Sequence, residues 1–85
     1  MPRIVMYATD WCPFCQRAES LLRAKGVAAF EKILVDEVPG ARAEMMTRSG
    51  RRTVPQIYIG ERHIGGFDDL SALDRAGGLE PLLRD

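Results

Sequence analysis

The sequence has few cysteines, a single histidine and no excess of either charge. Its 85 residues contain only two cysteines, Cys12 and Cys15, and one histidine, His63. A tetrahedral zinc site needs four ligands, which this set does not supply, so we expect no metal. A disulfide across so short a loop would stabilise the fold little by chain entropy, which disfavours a purely structural bridge.

Charge and hydrophobicity argue against two further classes of partner. Twelve basic and twelve acidic side chains cancel, unlike the basic excess of nucleic-acid-binding proteins and polybasic membrane anchors. No apolar run approaches the ~20 residues that cross a membrane, and a strand predicted from residue 3 leaves no room for a signal peptide. We therefore expect no nucleic acid and no membrane as partners, and a reducing, cytoplasmic location.

Hydrophobic periodicity predicts four strands and three main helices. The predicted strands cover residues 3–9, 30–35, 56–59 and 63–64, and the predicted helices cover residues 13–25, 41–48 and 69–75, with a last helical turn at 79–83. The first helix would join two parallel strands in a right-handed crossover, and the last two strands would form an antiparallel hairpin at a sheet edge. We therefore expect one domain over residues 1–85 with an α/β fold, a four-stranded mixed sheet flanked by helices on both faces.

Several residues have expected places within these elements. Gly26 is expected to end the first helix, and Asp68 to serve as the N-cap of the third. Met45 and Met46 are expected to point into the core, where methionine fills irregular space. His63 is expected to be a surface residue of the hairpin, with no role as a ligand or base.

The two cysteines lie in the segment Trp11-Cys12-Pro13-Phe14-Cys15, where the first strand passes into the first helix. Cys-x-x-Cys at such a junction is typical of redox proteins. If Cys12 is the helix N-cap, unpaired N–H groups and the positive end of the helix dipole favour its thiolate, the nucleophile in disulfide exchange. Pro13 suits the first helical position, and Cys15 follows one turn later on the same face. The segment therefore predicts a redox-active pair.

Three motifs in this order resemble those of the glutaredoxin family. They are Cys12-Pro13-Phe14-Cys15, Thr53-Val54-Pro55 and Gly65-Gly66-Phe67-Asp68-Asp69. Over essentially its full length the chain is similar to the dithiol glutaredoxins of bacteria. The resemblance implies a thioredoxin fold and a glutathione-dependent thiol–disulfide oxidoreductase. Its partners would be glutathione, as cosubstrate, and proteins that are glutathionylated or contain disulfides.

The resemblance also implies roles for the first two motifs. Cys12 would be the nucleophile and Cys15 the resolving thiol, with glutathione bound beside Cys12. Val54 and Pro55, joined by a cis peptide bond, would present extended backbone to the cysteinyl group of glutathione, with Thr53 alongside. Residue types alone also allow a plainer role for these three residues, as the entry to a strand.

The resemblance places three further residues around glutathione. Asp68, with the backbone of Asp69, matches the position that holds the γ-glutamyl amino and carboxylate groups, next to Gly66 of the same motif. Arg42 falls where the family has a basic or amide side chain for the glycine carboxylate, although alone it reads as a solvated helix residue. Phe14 is expected at the partly exposed lip of the site.

The sequence departs from the family pattern at two positions. Thr9 stands where the family usually has a lysine, within Thr-Lys-x-x-Cys, so a cation that would support the thiolate and glutathione is missing. Trp11 resembles the residue before the nucleophile in thioredoxins, but the Gly-Pro of that signature is absent.

Two alternative functions remain open from the sequence. One is a redoxin that is reduced by thioredoxin reductase and donates electrons to ribonucleotide reductase. The other is an iron–sulfur cluster scaffold, in which Cys12 and glutathione would bridge a dimer. Apart from that case we expect a monomer.

Overall fold

The computed structural model describes residues 2–84. Its strands form one four-stranded sheet in the order β2-β1-β3-β4. β1 pairs in parallel with β2 and antiparallel with β3, and β3 pairs antiparallel with the edge strand β4, as predicted. The elements are β1 Ile4–Ala8, α1 Pro13–Ala24, β2 Glu31–Leu34, α2 Ala41–Ser49, β3 Gln56–Ile59, β4 Arg62–Gly65, α3 Phe67–Arg75 and α4 Leu79–Arg84.

Helices cover both faces of the sheet, which is why the central strands are buried throughout. All five residues of β1 and all four of β3 are buried, as expected for strands covered on both faces. α1, α3 and α4 pack on one face and α2 on the other. The first core includes Met6, Ala18, Leu22, Ile57, Leu70 and Leu79, and the second includes Val5, Tyr7, Val35, Met45 and Tyr58.

α1 begins where the cysteine motif predicts. Cys12 is its N-cap and Pro13 occupies the first helical position. Cys15, Ala18 and Leu22 are buried at helical spacing against the first core, so the same face that packs the helix also carries the second cysteine.

α3 begins two residues earlier than predicted, so the assignment of Asp68 as its N-cap is wrong. Gly66 is the N-cap, and its N–H donates to the carboxylate of Asp69 at 2.9 Å. This is the backward half of a capping box, in which an acidic side chain at the third helical position closes the helix start. Asp68 lies in the first turn without that role.

Two smaller predictions are also corrected. Met46 is exposed, and only Met45 is buried, because adjacent helical residues point about 100° apart. His63 is half-buried and hydrogen-bonded to Gln56 instead of being a plain surface residue. The predicted last turn is a six-residue helix, α4, and other element ends differ from the predictions by one or two residues.

Candidate active site

The two cysteines lie together at the start of α1. They are joined by a disulfide, with their Cα atoms 5.1 Å apart. The Sγ atom of Cys12 accepts a hydrogen bond from the backbone N–H of Cys15 at 3.1 Å. Once the bond is reduced, the same N–H and the helix dipole stabilise a thiolate at Cys12. The start of α1 is therefore built for thiol–disulfide exchange.

The proline loop, which is formed by Thr53, Val54 and Pro55, is the second wall of the site. The Val54–Pro55 peptide bond is cis, as the resemblance implied. β3 follows directly and pairs with β1, so the loop comes to lie beside the end of β1, where Cys12 follows. The carbonyl oxygen of Val54 is 3.9 Å from the Sγ atom of Cys12. Backbone groups of the loop are thus adjacent to the sulfur.

The start of α3 is the third wall. Gly65 has φ +115°, and a Cβ atom there would come within 2.3 Å of the Asp69 carboxylate, so only glycine fits. The Asp69 carboxylate also accepts from the guanidinium of Arg51 at 2.8 Å. Arg51 first, and then the N–H of Gly66, lower the pKa of the Asp69 carboxyl. Asp69 is therefore a charged group that is hydrogen-bonded to two partners, Arg51 and Gly66, and it fixes the backbone at the start of α3.

A cleft of about 310 Å³ lies between these walls, and most of the predicted site residues line it. Two of its lining residues, Arg51 and Phe67, were not predicted. Arg51 lies two residues before the proline loop. This nearness in sequence could have indicated that its side chain lies at the site. The cleft is lined by Phe14, Arg51, Thr53, Val54, Pro55, Gly66, Phe67, Asp68 and Asp69.

Phe14 forms the lip of the cleft, as predicted. Its side chain is 51% exposed, and its ring centroid is 6.4 Å from that of Phe67. The guanidinium carbon of Arg17 lies over the Phe14 ring, 5.3 Å from the centroid. Trp11, next to the nucleophile, is 81% exposed. The entrance to the cysteine pair is therefore aromatic.

Arg42 does not line the cleft. It pairs with Asp36 at 2.6 Å and lines a separate hollow of about 670 Å³ between α2 and the segment that precedes it. That hollow is larger than the cleft, but none of its lining residues belongs to the three motifs, whereas residues of all three motifs line the cleft. Chemistry therefore favours the smaller cleft as the site, and the role of Arg42 stays a prediction.

The position of the family lysine is occupied by the half-buried Thr9. The carboxyl group of the neighbouring Asp10 raises the pKa of Glu37. Position 9 therefore supplies no cation to the cysteine pair, and the residue that follows it is acidic.

Residues 2–84 contain neither a cluster of metal-ligating side chains nor a helix that could span a membrane. No group of three or more histidine, cysteine, aspartate or glutamate residues there is arranged to hold a metal ion. None of the helices in the same range is long and apolar enough to cross a bilayer.

Comparison with known proteins agrees with the arrangement of the site. The family model described as Glutaredoxin matches residues 4–64. A glutaredoxin of Pseudomonas aeruginosa is 55% identical over 83 residues, which cover 98% of each chain. This chain belongs to the glutaredoxin family. Glutaredoxin 3 of Escherichia coli is 51% identical over 84 residues, covering 99% of this chain and all of the relative. The chain is therefore a thiol–disulfide oxidoreductase with a redox-active Cys12–Cys15 pair.

Solved structures agree with the fold. The buckwheat glutaredoxin–glutathione complex superposes with a TM-score of 0.88 at 31% identity, covering 98% of this chain and 77% of that one. The solution structure of glutaredoxin from Brucella melitensis gives a TM-score of 0.83 at 49% identity, covering 98% and 89%. The chain therefore has the thioredoxin fold of its family.

Proposed function

We propose that this oxidoreductase uses glutathione to reduce protein disulfides and protein–glutathione mixed disulfides. The observation that carries the proposal is the cleft beside Cys12, which has an open backbone edge at the proline loop and charged groups at its α3 end. A tripeptide with an internal thiol and charged groups at both ends matches that arrangement. The structure of a relative in complex with glutathione supports the same ligand.

Reduction of a protein disulfide would use both cysteines. The Cys12 thiolate attacks one sulfur of the substrate, forming a mixed disulfide and releasing the other sulfur as a thiolate. The Cys15 thiolate then attacks Cys12 Sγ, which frees the substrate's second thiol and forms the Cys12–Cys15 disulfide. Two glutathione molecules reduce this bond in turn and leave as glutathione disulfide, so two electrons pass in each cycle.

Glutathionylated proteins would need Cys12 alone. Its thiolate attacks the glutathione sulfur, and the protein leaves as a thiol. A second glutathione attacks the resulting mixed disulfide on Cys12, releasing glutathione disulfide. The N–H of Cys15, 3.1 Å from Cys12 Sγ, stabilises the thiolate that leaves in this last step.

Charged side chains would hold the two ends of glutathione. Asp68 lines the cleft and offers an acceptor for the γ-glutamyl ammonium. For the glycine carboxylate the candidates are Arg42, at the family position, and Arg51, in the cleft lining. Each is an exposed guanidinium that now pairs with an aspartate, Asp36 or Asp69. Binding would exchange that partner for the ligand carboxylate.

The test of the proposal compares electron sources in a coupled assay. With a glutathionylated peptide or a protein disulfide as substrate, we expect turnover with glutathione, glutathione reductase and NADPH. We expect little turnover with thioredoxin reductase and NADPH. The reverse result would favour the alternative in which thioredoxin reductase is the electron donor. Absorbance in the visible range after anaerobic purification would reveal an iron–sulfur cluster, the other alternative.

Variants of the charged groups test how glutathione is held. We expect Asp68→Ala to raise the KM for glutathione about five-fold, because a charged hydrogen bond is lost from a partly exposed site. Arg42→Ala and Arg51→Ala identify the carboxylate partner by which of them raises KM. Asp36→Ala should lower KM if Arg42 is that partner, because it frees the guanidinium. Glu61→Ala, in the exposed β3–β4 turn, also removes one negative charge and is the control for the two aspartate variants.

We further propose that the protein acts in the cytoplasm as a monomer. Thiols such as these remain reduced there, and the exchange cycle needs one copy of each cysteine.

A further inference from the structure

A buried polar network lies behind the proline loop. Gln56, the first residue of β3, has no exposed surface (0%) and is the one amide or charged side chain that is buried within residues 2–84. Its Nε2 atom donates to the backbone carbonyl of Thr53 at 3.0 Å and contacts the Thr53 hydroxyl at 3.2 Å. Its Oε1 atom lies 2.7 Å from Nε2 of His63, in β4. The network therefore connects the hairpin to the loop.

The hydrogen-bond directions in this network are fixed. The Thr53 carbonyl can only accept, so the NH₂ group of Gln56 must face it and the amide oxygen must face His63. Nε2 of His63 therefore carries a hydrogen and donates. Burial first, and then the charge of Arg51, lower the pKa of His63, while Asp69 opposes and Arg48 adds to the effect. The ring is therefore a neutral donor at pH 7, stacked on Tyr58 with centroids 4.9 Å apart.

Packing alone does not explain an amide at position 56. Burying an amide is unfavourable unless its hydrogen bonds are replaced, whereas an apolar side chain of similar size would be buried without that requirement. Here each polar atom of Gln56 has a partner, and its two donor contacts are both to Thr53. The bonds therefore act on the position of the loop.

The opposite side of the loop faces the cysteine pair. Thr53 and Val54 line the cleft, and the Val54 carbonyl oxygen is 3.9 Å from the Sγ atom of Cys12. Gln56 and His63 themselves do not line the cleft. They can reach the ligand only through the backbone that they hold.

We propose that Gln56 and His63 are positioning residues, which hold the proline loop in the geometry that binds glutathione and so set the affinity of the cleft. The inference rests on the function proposed above. A backbone already held in its binding geometry loses less conformational freedom when the ligand arrives, so affinity rises without any new contact.

Three variants separate positioning from packing. Gln56→Met removes all three polar contacts at similar volume. His63→Phe keeps a ring that can stack on Tyr58 but removes the donor. His63→Gln restores an N–H donor at a similar reach. We expect Gln56→Met to raise the KM for glutathione about five-fold and His63→Phe about two-fold, with kcat within about two-fold of the parent, as for lost neutral hydrogen bonds. His63→Gln should restore the parental KM.

The inference fails if Gln56→Met lowers the melting temperature but leaves KM at the parental value, because the network would then be structural only. It also fails if His63→Gln and His63→Phe raise KM equally. If Gln56→Met does not fold, the two His63 variants decide, since His63 lies on the edge strand β4.

Hydrogen exchange separates this inference from the proposed function. If the parent shows no turnover with glutathione, the proposed function is wrong, whatever the variants do. The amides of Thr53 and Val54 should still exchange faster in Gln56→Met, or in His63→Phe if the first variant does not fold, than in the parent. Unchanged exchange at both amides would overturn the positioning role by itself.

Discussion

The two helices that meet at the site begin in opposite ways. At α1 the N-cap is Cys12, there is no acidic residue in the first turn, and a sulfur accepts the N–H of Cys15. At α3 the N-cap is Gly66, and the carboxylate of Asp69 closes the helix start while pairing with Arg51. At α1 the side chain of the N-cap accepts from the N–H three residues later, whereas at α3 the side chain three residues later accepts from the N–H of the N-cap. At α1 the acceptor is a reactive sulfur, and at α3 it is a carboxylate that takes no part in the sulfur chemistry.

This contrast explains how one site can be both reactive and rigid. If α1 carried an acidic residue in its first turn, that charge would oppose the Cys12 thiolate. The same charge at α3 stabilises the wall of the cleft where we propose that glutathione binds, and it does not oppose the Cys12 thiolate.

The largest expected effect comes from removing the reactive group at α1. Cys12→Ser should abolish thiol–disulfide exchange with every substrate, because it removes the N-cap sulfur that the start of α1 stabilises as a thiolate, and the remaining thiol, Cys15, lies inside the first turn of the helix. Serine can still cap the helix, so the melting temperature of the reduced proteins should change little. If Cys12→Ser still shows turnover above background, the assignment of Cys12 as the nucleophile is wrong and Cys15 must act as one.

The next effect separates the two cysteines. We predict that Cys15→Ser keeps the reduction of glutathionylated peptides, where glutathione resolves the mixed disulfide on Cys12, and loses most of the reduction of protein disulfides. Parallel assays of the two substrates with one enzyme preparation measure the split. An equal loss of both activities would contradict the assigned roles.

A smaller effect is expected from opening the start of α3. Asp69→Ala should lower the free energy of unfolding by about 1 kcal/mol at pH 7 through the lost cap, whereas Asp68→Ala should lower it less. Because the folded pKa of Asp69 is lowered, its contribution is fully present above the unfolded value near ~3.9 and is lost as pH falls through the folded pKa. Urea unfolding at pH 7 and at lower pH should therefore show a difference between Asp69→Ala and the parent that narrows as the pH falls.

The smallest expected effect is at α1 again. Thr9→Lys restores the cation of the family pattern and should increase the thiolate fraction of Cys12 at a given pH. An exposed charge pair contributes only ~0.2–1 kcal/mol, so the midpoint of the thiolate titration should fall by a fraction of a pH unit. Ultraviolet absorbance of the reduced proteins against pH measures it, with Ala76→Lys, at the far end of α3, as control. A midpoint that rises, or moves equally in the control, would mean that position 9 does not act on the sulfur.

Much of the site could be predicted because its parts are local. Helix caps and periodic apolar faces depend on residues within about four positions of each other, which is why α1, its N-cap Cys12 and the core face with Cys15 and Leu22 follow from the sequence. The cis Val54–Pro55 bond was predicted too, but from the family resemblance and not from residue chemistry.

The start of α3 and the Arg51–Asp69 pair could not be predicted, because they depend on contacts between segments that are distant in sequence. The sequence predicted Asp68 as the N-cap of α3, whereas the backbone path makes Gly66 the N-cap and Asp69 the side chain that closes the helix start. Arg51 reached Asp69, 18 residues away, only because the loop before β3 lies beside the start of α3.

The sequence by itself determined the order of the elements, the reactive pair and the family. Those depend on residue types and on spacings along the chain. Only the tertiary structure decided that Gln56 would be buried between Thr53 and His63, and that Arg42 would pair with Asp36 outside the cleft. Such contacts follow from strand register and loop path, which the packing of the whole sheet fixes, because no local pattern states which distant polar groups will share a buried volume.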